Sequence, residues 1–135
     1  MEICTVGGFE QVGKNMTAVK VDDDVFIFDM GLYIPGIVEL QEENFMQYTN
    51  RLQKGQKLER YSEEKVRKFG AVPDDTVLDK IGWREKVRAI FISHAHLDHV
   101  GGVPYIAHRY PNVPIYGTPF TIKLLEAIAE DEKLS

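Results

Sequence analysis

The chain has 135 residues, which is enough for one domain with a buried core. Its 44% hydrophobic and 27% charged residues are ordinary for a globular protein. No apolar stretch approaches the length of a membrane-spanning helix, which argues against a membrane partner. The formal net charge of −5 argues against strong electrostatic binding of nucleic acid by this segment alone.

Cysteine usage and the first residues bear on the cellular compartment. Cys4 is the only cysteine, so no internal disulfide can form. The segment that begins at Met1 lacks the basic and apolar regions of a secretory signal. We therefore expect a reducing, cytoplasmic location.

The first part of the chain predicts three strands. Residues 2–7 predict a short first strand that is ended by the glycine pair Gly7-Gly8. Residues 16–21 and 25–29 are rich in β-formers and flank an aspartate turn at 22–24, so they predict a hairpin. The almost continuously apolar run at 25–28 favours a strand covered on both faces.

A polar stretch follows, and it predicts a helical insertion at 40–70. Helix formers occur at 41–53 and at 62–69, where Ser62 is suited to cap the second helix. Asp74 or Asp75 is suited to cap a further short helix at 76–81.

The last part predicts alternating strands and helices. Residues 87–92 and 113–116 are apolar and predict strands, with a helix between them. Pro119 opens a final amphipathic helix, whose predicted apolar face carries Phe120, Leu124, Leu125 and Ile128. The whole order predicts an α/β fold.

The loop after the strand at 87–92 holds three of the four histidines. His94, His96, Asp98 and His99 fall within six positions, a dense set of metal ligands. In an extended segment residues i and i+2 project to the same side, so His94 and His96 can bind one ion. A turn towards Gly101 lets Asp98 and His99 reach a second. Imidazole and carboxylate suit zinc best, with manganese or iron as alternatives, and paired ions predict hydrolysis.

This motif, followed by Gly101-Gly102, resembles the signature of the metallo-β-lactamase fold superfamily. Further segments resemble its β-CASP ribonuclease branch, of the archaeal ribonuclease J type. They are Gly7-Gly8-Phe9-Glu10-Gln11-Val12-Gly13-Lys14-Asn15-Met16, Phe28-Asp29-Met30-Gly31, Gly70-Ala71-Val72-Pro73-Asp74 and Pro114-Ile115-Tyr116-Gly117-Thr118. The likeness spans most of the chain and is least diagnostic at 40–70.

The resemblance implies a role for each site residue. His94 and His96 would hold one zinc ion, and Asp98 and His99 the other. Asp98 would also act catalytically, by handling the proton of the attacking water. Asp29 would hydrogen-bond to the histidine loop and fix the orientation of its ligands. The alternative for Asp29 is a plain turn residue at a strand end.

The resemblance also implies that residues 1–135 are the N-terminal part of a longer enzyme. A catalytic zinc usually has three protein ligands, and this segment supplies two per ion. The implied fold is a four-layer αββα sandwich, and the segment would form its first half, a mixed sheet with helices packed on one face. The second half and the RNA-gripping β-CASP domain would lie outside the segment. We expect weak metal binding and little hydrolysis from the segment alone. An uncovered sheet face would favour a homo-oligomer or another association.

Three functions remain open at this point. The resemblance favours a zinc-dependent ribonuclease with RNA as partner and 5′→3′ exonuclease activity, with endonuclease cleavage as a further option. The histidine motif alone is equally compatible with hydrolysis of thioesters, lactones or lactams on the same fold. A non-enzymatic metal-binding module is the third alternative. His108 lies off the predicted apolar helix face, and we expect it to be solvated and without a functional role.

Overall fold

The computed structural model of the chain describes residues 1–8, 13–33 and 62–134. Five strands lie in these ranges: β1 (Glu2–Gly7), β2 (Met16–Val21), β3 (Asp24–Phe28), β4 (Val87–Phe91) and β5 (Ile115–Tyr116). The α-helices in the same ranges are α1 (Glu63–Lys68), α2 (Thr76–Lys80), α3 (Leu97–Val100), α4 (Val103–Ile106) and α5 (Pro119–Leu134). Short 3₁₀ turns occur at Arg84–Lys86 and Ala107–Arg109. The helix predicted at 41–53 lies outside the described residues.

The five strands form one mixed sheet in the order β1-β2-β3-β4-β5. The pairs β1–β2 and β2–β3 are antiparallel, and the pairs β3–β4 and β4–β5 are parallel. This confirms the predicted α/β class with a mixed sheet. Because β3 and β4 are parallel, their carboxyl ends meet at one edge of the sheet.

The predicted hairpin is present, and one residue separates its observed end from the predicted one. Asp22 adopts a left-handed conformation (φ 55°) in the turn between β2 and β3. Aspartate tolerates this region because its short polar side chain can hydrogen-bond locally. Asp29 is also left-handed (φ 68°), so β3 ends at Phe28.

One face of the sheet carries the core. Inward residues of the central strands, including Met16, Ala18, Ile27 and Ile90, are almost fully buried under the helices. Ile106 of α4 is among the helix residues that pack into the same cluster. The opposite face is different, since Phe28 is 44% exposed. The prediction that both faces of β3 are covered is therefore wrong for the described part of the chain.

The two short helices before β4 begin as the sequence predicts, and the structure decides between the two candidate caps of α2. The Ser62 hydroxyl accepts a hydrogen bond from the Lys65 N–H and caps α1. At α2 it is the Asp74 carboxylate that accepts from the Thr76 N–H (3.2 Å). Asp75 makes no side-chain cap bond and is fully buried instead.

Asp75 is the centre of a buried ionic network. Its Oδ2 accepts hydrogen bonds from Arg109 Nη1 (2.6 Å) and from the Tyr110 hydroxyl (2.7 Å). Arg67 Nη2 lies 2.9 Å from Oδ1 as an ion pair without hydrogen-bond geometry. Arg109 also binds Asp79 of α2. These contacts fasten α1 and α2 to the end of the second 3₁₀ turn, so one buried carboxylate ties three elements together.

The final helix shows an error in the predicted apolar face. Leu124 and Leu125 pack against the core, whereas Phe120 is 72% exposed. Thr121 takes the buried position, and its N–H donates to the Thr118 hydroxyl. The side chain of Ile128 lies outside the described residues. None of the helices within the described ranges is long and apolar enough to cross a membrane.

Candidate metal centre

The site forms where β3 and β4 end side by side. Asp29 follows β3, and the loop that begins at Ser93 follows β4. The Asp29 N–H donates to the carbonyl of Phe91 (2.8 Å), which continues the pairing of the two strands beyond their last ladder positions. The sheet therefore brings Asp29 and Ser93, which are 64 positions apart in the chain, into contact.

The carboxylate of Asp29 contacts the histidine loop through both of its oxygens. Oδ1 accepts from the Ser93 N–H (2.7 Å), and Oδ2 accepts from the Ser93 hydroxyl (3.0 Å). Nδ1 of His99 lies 2.8 Å from the same Oδ2. The side chains of His99 and Asp29 are only 20% and 14% exposed, so solvent screens this contact weakly.

The three histidines form one cluster of rings. The centroids of His94 and His99 are 3.8 Å apart, and those of His94 and His96 are 4.9 Å apart in an edge-on arrangement. Ser93 Oγ lies 3.0 Å from Nδ1 of His94 and 3.3 Å from Nδ1 of His99. The loop thus places three imidazoles together above the sheet edge.

Backbone contacts hold this loop in place. Helix α3 begins at Leu97, and the N–H groups of His99 and Val100 donate to the His96 carbonyl (2.9 Å each). The Met30 N–H donates to the His99 carbonyl (2.9 Å), and the Met30 carbonyl accepts from Gly102 (2.8 Å). The carboxyl end of the loop is thereby hydrogen-bonded to the segment that follows β3.

The types of side chain at this site are those that bind metal ions. Imidazoles, together with a carboxylate that contacts one ring nitrogen, are the kinds of residue found at zinc sites. No group of three or more histidine, cysteine, aspartate or glutamate side chains with metal-binding geometry occurs among the described side chains. The side chain of Asp98, the fourth predicted ligand, lies outside them, although its backbone lies in α3.

The remaining site predictions divide clearly. The structure brings His94, His96, His99 and Asp29 together. His108 lies elsewhere, exposed, with Nε2 2.7 Å from Glu63 of α1. Sequence reasoning assigned nothing to Ser93, although it immediately precedes the first histidine. The position of Ser93 next to His94 in the chain is the sequence signal for its contact with that ring.

A sequence profile of the metallo-beta-lactamase superfamily matches residues 10–132, and the chain belongs to this superfamily. Its relatives carry one recurrent name. The chain is 40% identical to Ribonuclease J of Pyrococcus abyssi and 41% identical to Ribonuclease J of Methanocaldococcus jannaschii, over 98% of the chain and 26% of each relative. It is 30% identical to Ribonuclease J2 of Bacillus subtilis, over 93% of the chain and 17% of that relative. The chain spans about a quarter of the first two relatives. The resemblance to the ribonuclease J type is confirmed.

Proposed function

We propose that this chain supplies the metal-binding loop of a metal-dependent ribonuclease that hydrolyses RNA phosphodiester bonds. The observation that carries the proposal is the cluster of His94, His96 and His99 beside the Asp29 carboxylate. Relatives named Ribonuclease J, at 40% and 41% identity, favour RNA as the substrate over other esters or amides.

The proposed metals are two zinc ions, with manganese as the alternative. His94 and His96 would hold one ion, and Asp98 and His99 the other. Zinc held by these residues would lower the pKa of water to about 7 and so supply hydroxide at neutral pH. The chain's own task is to present neutral imidazoles in fixed orientations and, at Asp98, to accept the proton of the attacking water.

Asp29 supports this arrangement from behind the ligands. Its Oδ2 accepts from Nδ1 of His99, which holds the ring in one rotamer and raises the basicity of the other nitrogen. Its Oδ1 fixes the start of the loop through the Ser93 N–H. We therefore propose that Asp29 orients ligands and does not itself bind metal.

The site is proposed to be incomplete within residues 1–135. Three protein ligands per catalytic zinc are usual, and two per ion are proposed here. The remaining ligands and the β-CASP domain that grips RNA would come from further sequence of the kind that makes the relatives longer. We expect the isolated segment to bind zinc weakly and not to turn over RNA. We propose that the protein is located in the cytoplasm. We also propose that it forms a homo-oligomer or another association through the uncovered face of the sheet.

The direct test uses the full-length protein on 5′-monophosphorylated RNA, with thioester and lactam substrates in parallel. We expect stepwise shortening from the 5′ end in the 5′→3′ direction. H94A should abolish it, whereas H108A is the matched control because His108 lies exposed beside Glu63. Intact RNA together with hydrolysis of a lactam or thioester would establish the alternative substrate class. Internal cuts would indicate endonuclease cleavage.

A further inference from the structure

We propose that Ser93 is a positioning residue whose hydroxyl connects the Asp29 carboxylate to His94. We call this chain of two hydrogen bonds the relay. One acidic group would then determine the ring nitrogen that both His94 and His99 present to a metal. This role rests on the proposed function of the loop as a metal site.

The Ser93 hydroxyl has one hydrogen and three polar neighbours. Its Oγ lies 3.0 Å from Oδ2 of Asp29, 3.0 Å from Nδ1 of His94 and 3.3 Å from Nδ1 of His99. An ionised carboxylate can only accept hydrogen bonds. The Ser93 hydrogen is therefore donated to Asp29, and Oγ can only accept from His94. It follows that Nδ1 of His94 carries a hydrogen.

His99 reaches the same state without an intermediary. Its Nδ1 is 2.8 Å from Oδ2 of Asp29, closer than its 3.3 Å contact with Ser93. A ring nitrogen so close to an acceptor-only oxygen must donate. A neutral imidazole with its hydrogen on Nδ1 offers the lone pair of Nε2 to a metal. Asp29 thus assigns Nε2 to both rings, directly for His99 and through Ser93 for His94.

Different groups of Ser93 form the relay and anchor the loop, so a substitution can remove one and keep the other. The main-chain N–H of Ser93 donates to Oδ1 of Asp29 (2.7 Å), and an alanine keeps that bond. Ser93 and His94 are both exposed, so loss of the hydroxyl removes little buried contact. Removing the hydroxyl should therefore affect His94 while the loop and the His99–Asp29 contact persist.

The experiment compares wild-type full-length protein with S93A, S93T and S62A. Nitrogen-15 NMR of the metal-free protein, at an alkaline pH where imidazoles are neutral, reports which ring nitrogen carries hydrogen. H94Q and H99Q assign the signals. Calorimetric zinc titration measures affinity. S62A is the matched control, because it removes a helix-capping hydroxyl at α1.

In the wild type we expect hydrogen on Nδ1 of both His94 and His99. S93A should release His94 from this state, leave His99 in it and weaken zinc binding roughly 10-fold. S93T, which keeps a hydroxyl, should restore the hydrogen on Nδ1 of His94 and the zinc affinity. S62A should match the wild type in both measurements. Should S93A fold poorly, the wild-type spectrum and S93T still decide the matter.

Two results would overturn the relay. One is hydrogen on Nε2 of His94 in the wild-type protein, and the other is wild-type zinc affinity in folded S93A. If the wild-type protein binds zinc normally, either result rules out the relay and leaves the proposed metal site standing. Failure of the wild type to bind zinc overturns the proposed function, and the role of Ser93 with it. Neither readout depends on RNA cleavage.

Discussion

Asp29 combines backbone strain with three hydrogen-bonding groups directed at the end of β4 and the loop that follows it. Its left-handed conformation (φ 68°) costs about 1 kcal/mol, and less for aspartate than for most residues. In return its N–H, Oδ1 and Oδ2 reach Phe91, Ser93 and His99 respectively. A strained residue whose N–H holds the end of β4 and whose carboxylate holds the histidine loop is the pattern expected of a functional position.

The charge of Asp29 should matter more than its shape. D29N keeps the size of the side chain and tolerates the same backbone angle, but it replaces one acceptor oxygen with a donor nitrogen. We expect zinc affinity to fall by about 10- to 100-fold. Calorimetric titration measures it.

D24N is the control for this change. Asp24 is an exposed partner of Arg88 at the other end of β3, so its loss should leave zinc binding unchanged. Equal affinities for D29N and the wild type would show that Asp29 is only a turn residue.

Gly102 sets how closely the end of the histidine loop approaches the segment after β3. A Cβ at this position would lie 2.7 Å from the Gly31 carbonyl oxygen and 3.0 Å from that of Met30. Backbone atoms cannot move aside cheaply, so we expect G102A to destabilise the fold by about 1–3 kcal/mol. Denaturant unfolding measures the loss.

Zinc binding should weaken in G102A as well. The main chains of Gly102 and His99 are both hydrogen-bonded to Met30, so a shift at Gly102 should displace His99. G117A is the matched control. Its added methyl group would come nearest to side-chain atoms of Thr121 at 3.3–3.4 Å. A G102A protein as stable as G117A would contradict the close approach.

Among the elements, the buried network at Asp75 gives a stability that depends on pH. Burial and the neighbouring Asp75 carboxylate raise the pKa of Tyr110 well above its ordinary value of about 10. A raised pKa means that the stabilisation is fully present below about pH 10 and is lost as the pH rises further. The unfolded chain ionises its tyrosine there, while the folded chain must keep the proton.

Y110F should expose this contribution. At neutral pH we expect it to lower the free energy of unfolding by about 1–3 kcal/mol, since the hydrogen bond to Asp75 Oδ2 is lost. Above about pH 10 the wild type should lose a further 1.4 kcal/mol or so per pH unit relative to Y110F. Denaturant curves from about pH 8 to about pH 11 measure the difference. Parallel curves for the two proteins would contradict the role of Tyr110.

The elements also show what sequence can and cannot predict. The strands and hairpin followed from residue type and turn signals, which are local. The ring cluster followed because His94, His96 and His99 are close in the chain. The burial of Asp75 did not follow, because its partners Arg67 and Arg109 lie on elements whose packing no local pattern specifies. The contacts of Asp29 were expected only through family likeness.

At the scale of the whole molecule, the two faces of the sheet differ. Phe28, Phe91 and Tyr116 stack along the face opposite the core, with ring centroids 5.4 and 5.3 Å apart. Phe28 and Tyr116 are 44% and 53% exposed. Ile3 and Val21 are exposed on the same face, by their register in the sheet. Contiguous exposed apolar surface of this kind marks a contact site.

The isolated 135-residue chain should therefore associate with itself through this face. The double variant F28S/Y116S removes two exposed aromatic rings and leaves the core face untouched. Each aromatic side chain can bury about 150–250 Å², at about 25 cal/mol per Å². Loss of two rings should shift the chain from oligomer to monomer at micromolar concentration. Sedimentation velocity over a dilution series measures this shift.

F120S is the matched control, because Phe120 is 72% exposed but lies on α5 and not on the sheet. It should leave the oligomer intact, since Phe28 and Tyr116 belong to strands of the sheet, whereas Phe120 belongs to α5. A wild-type chain that stays monomeric throughout the dilution series would contradict this association. Dissociation by F120S to the same extent as by F28S/Y116S would do so too, because it would show that any exposed aromatic ring suffices.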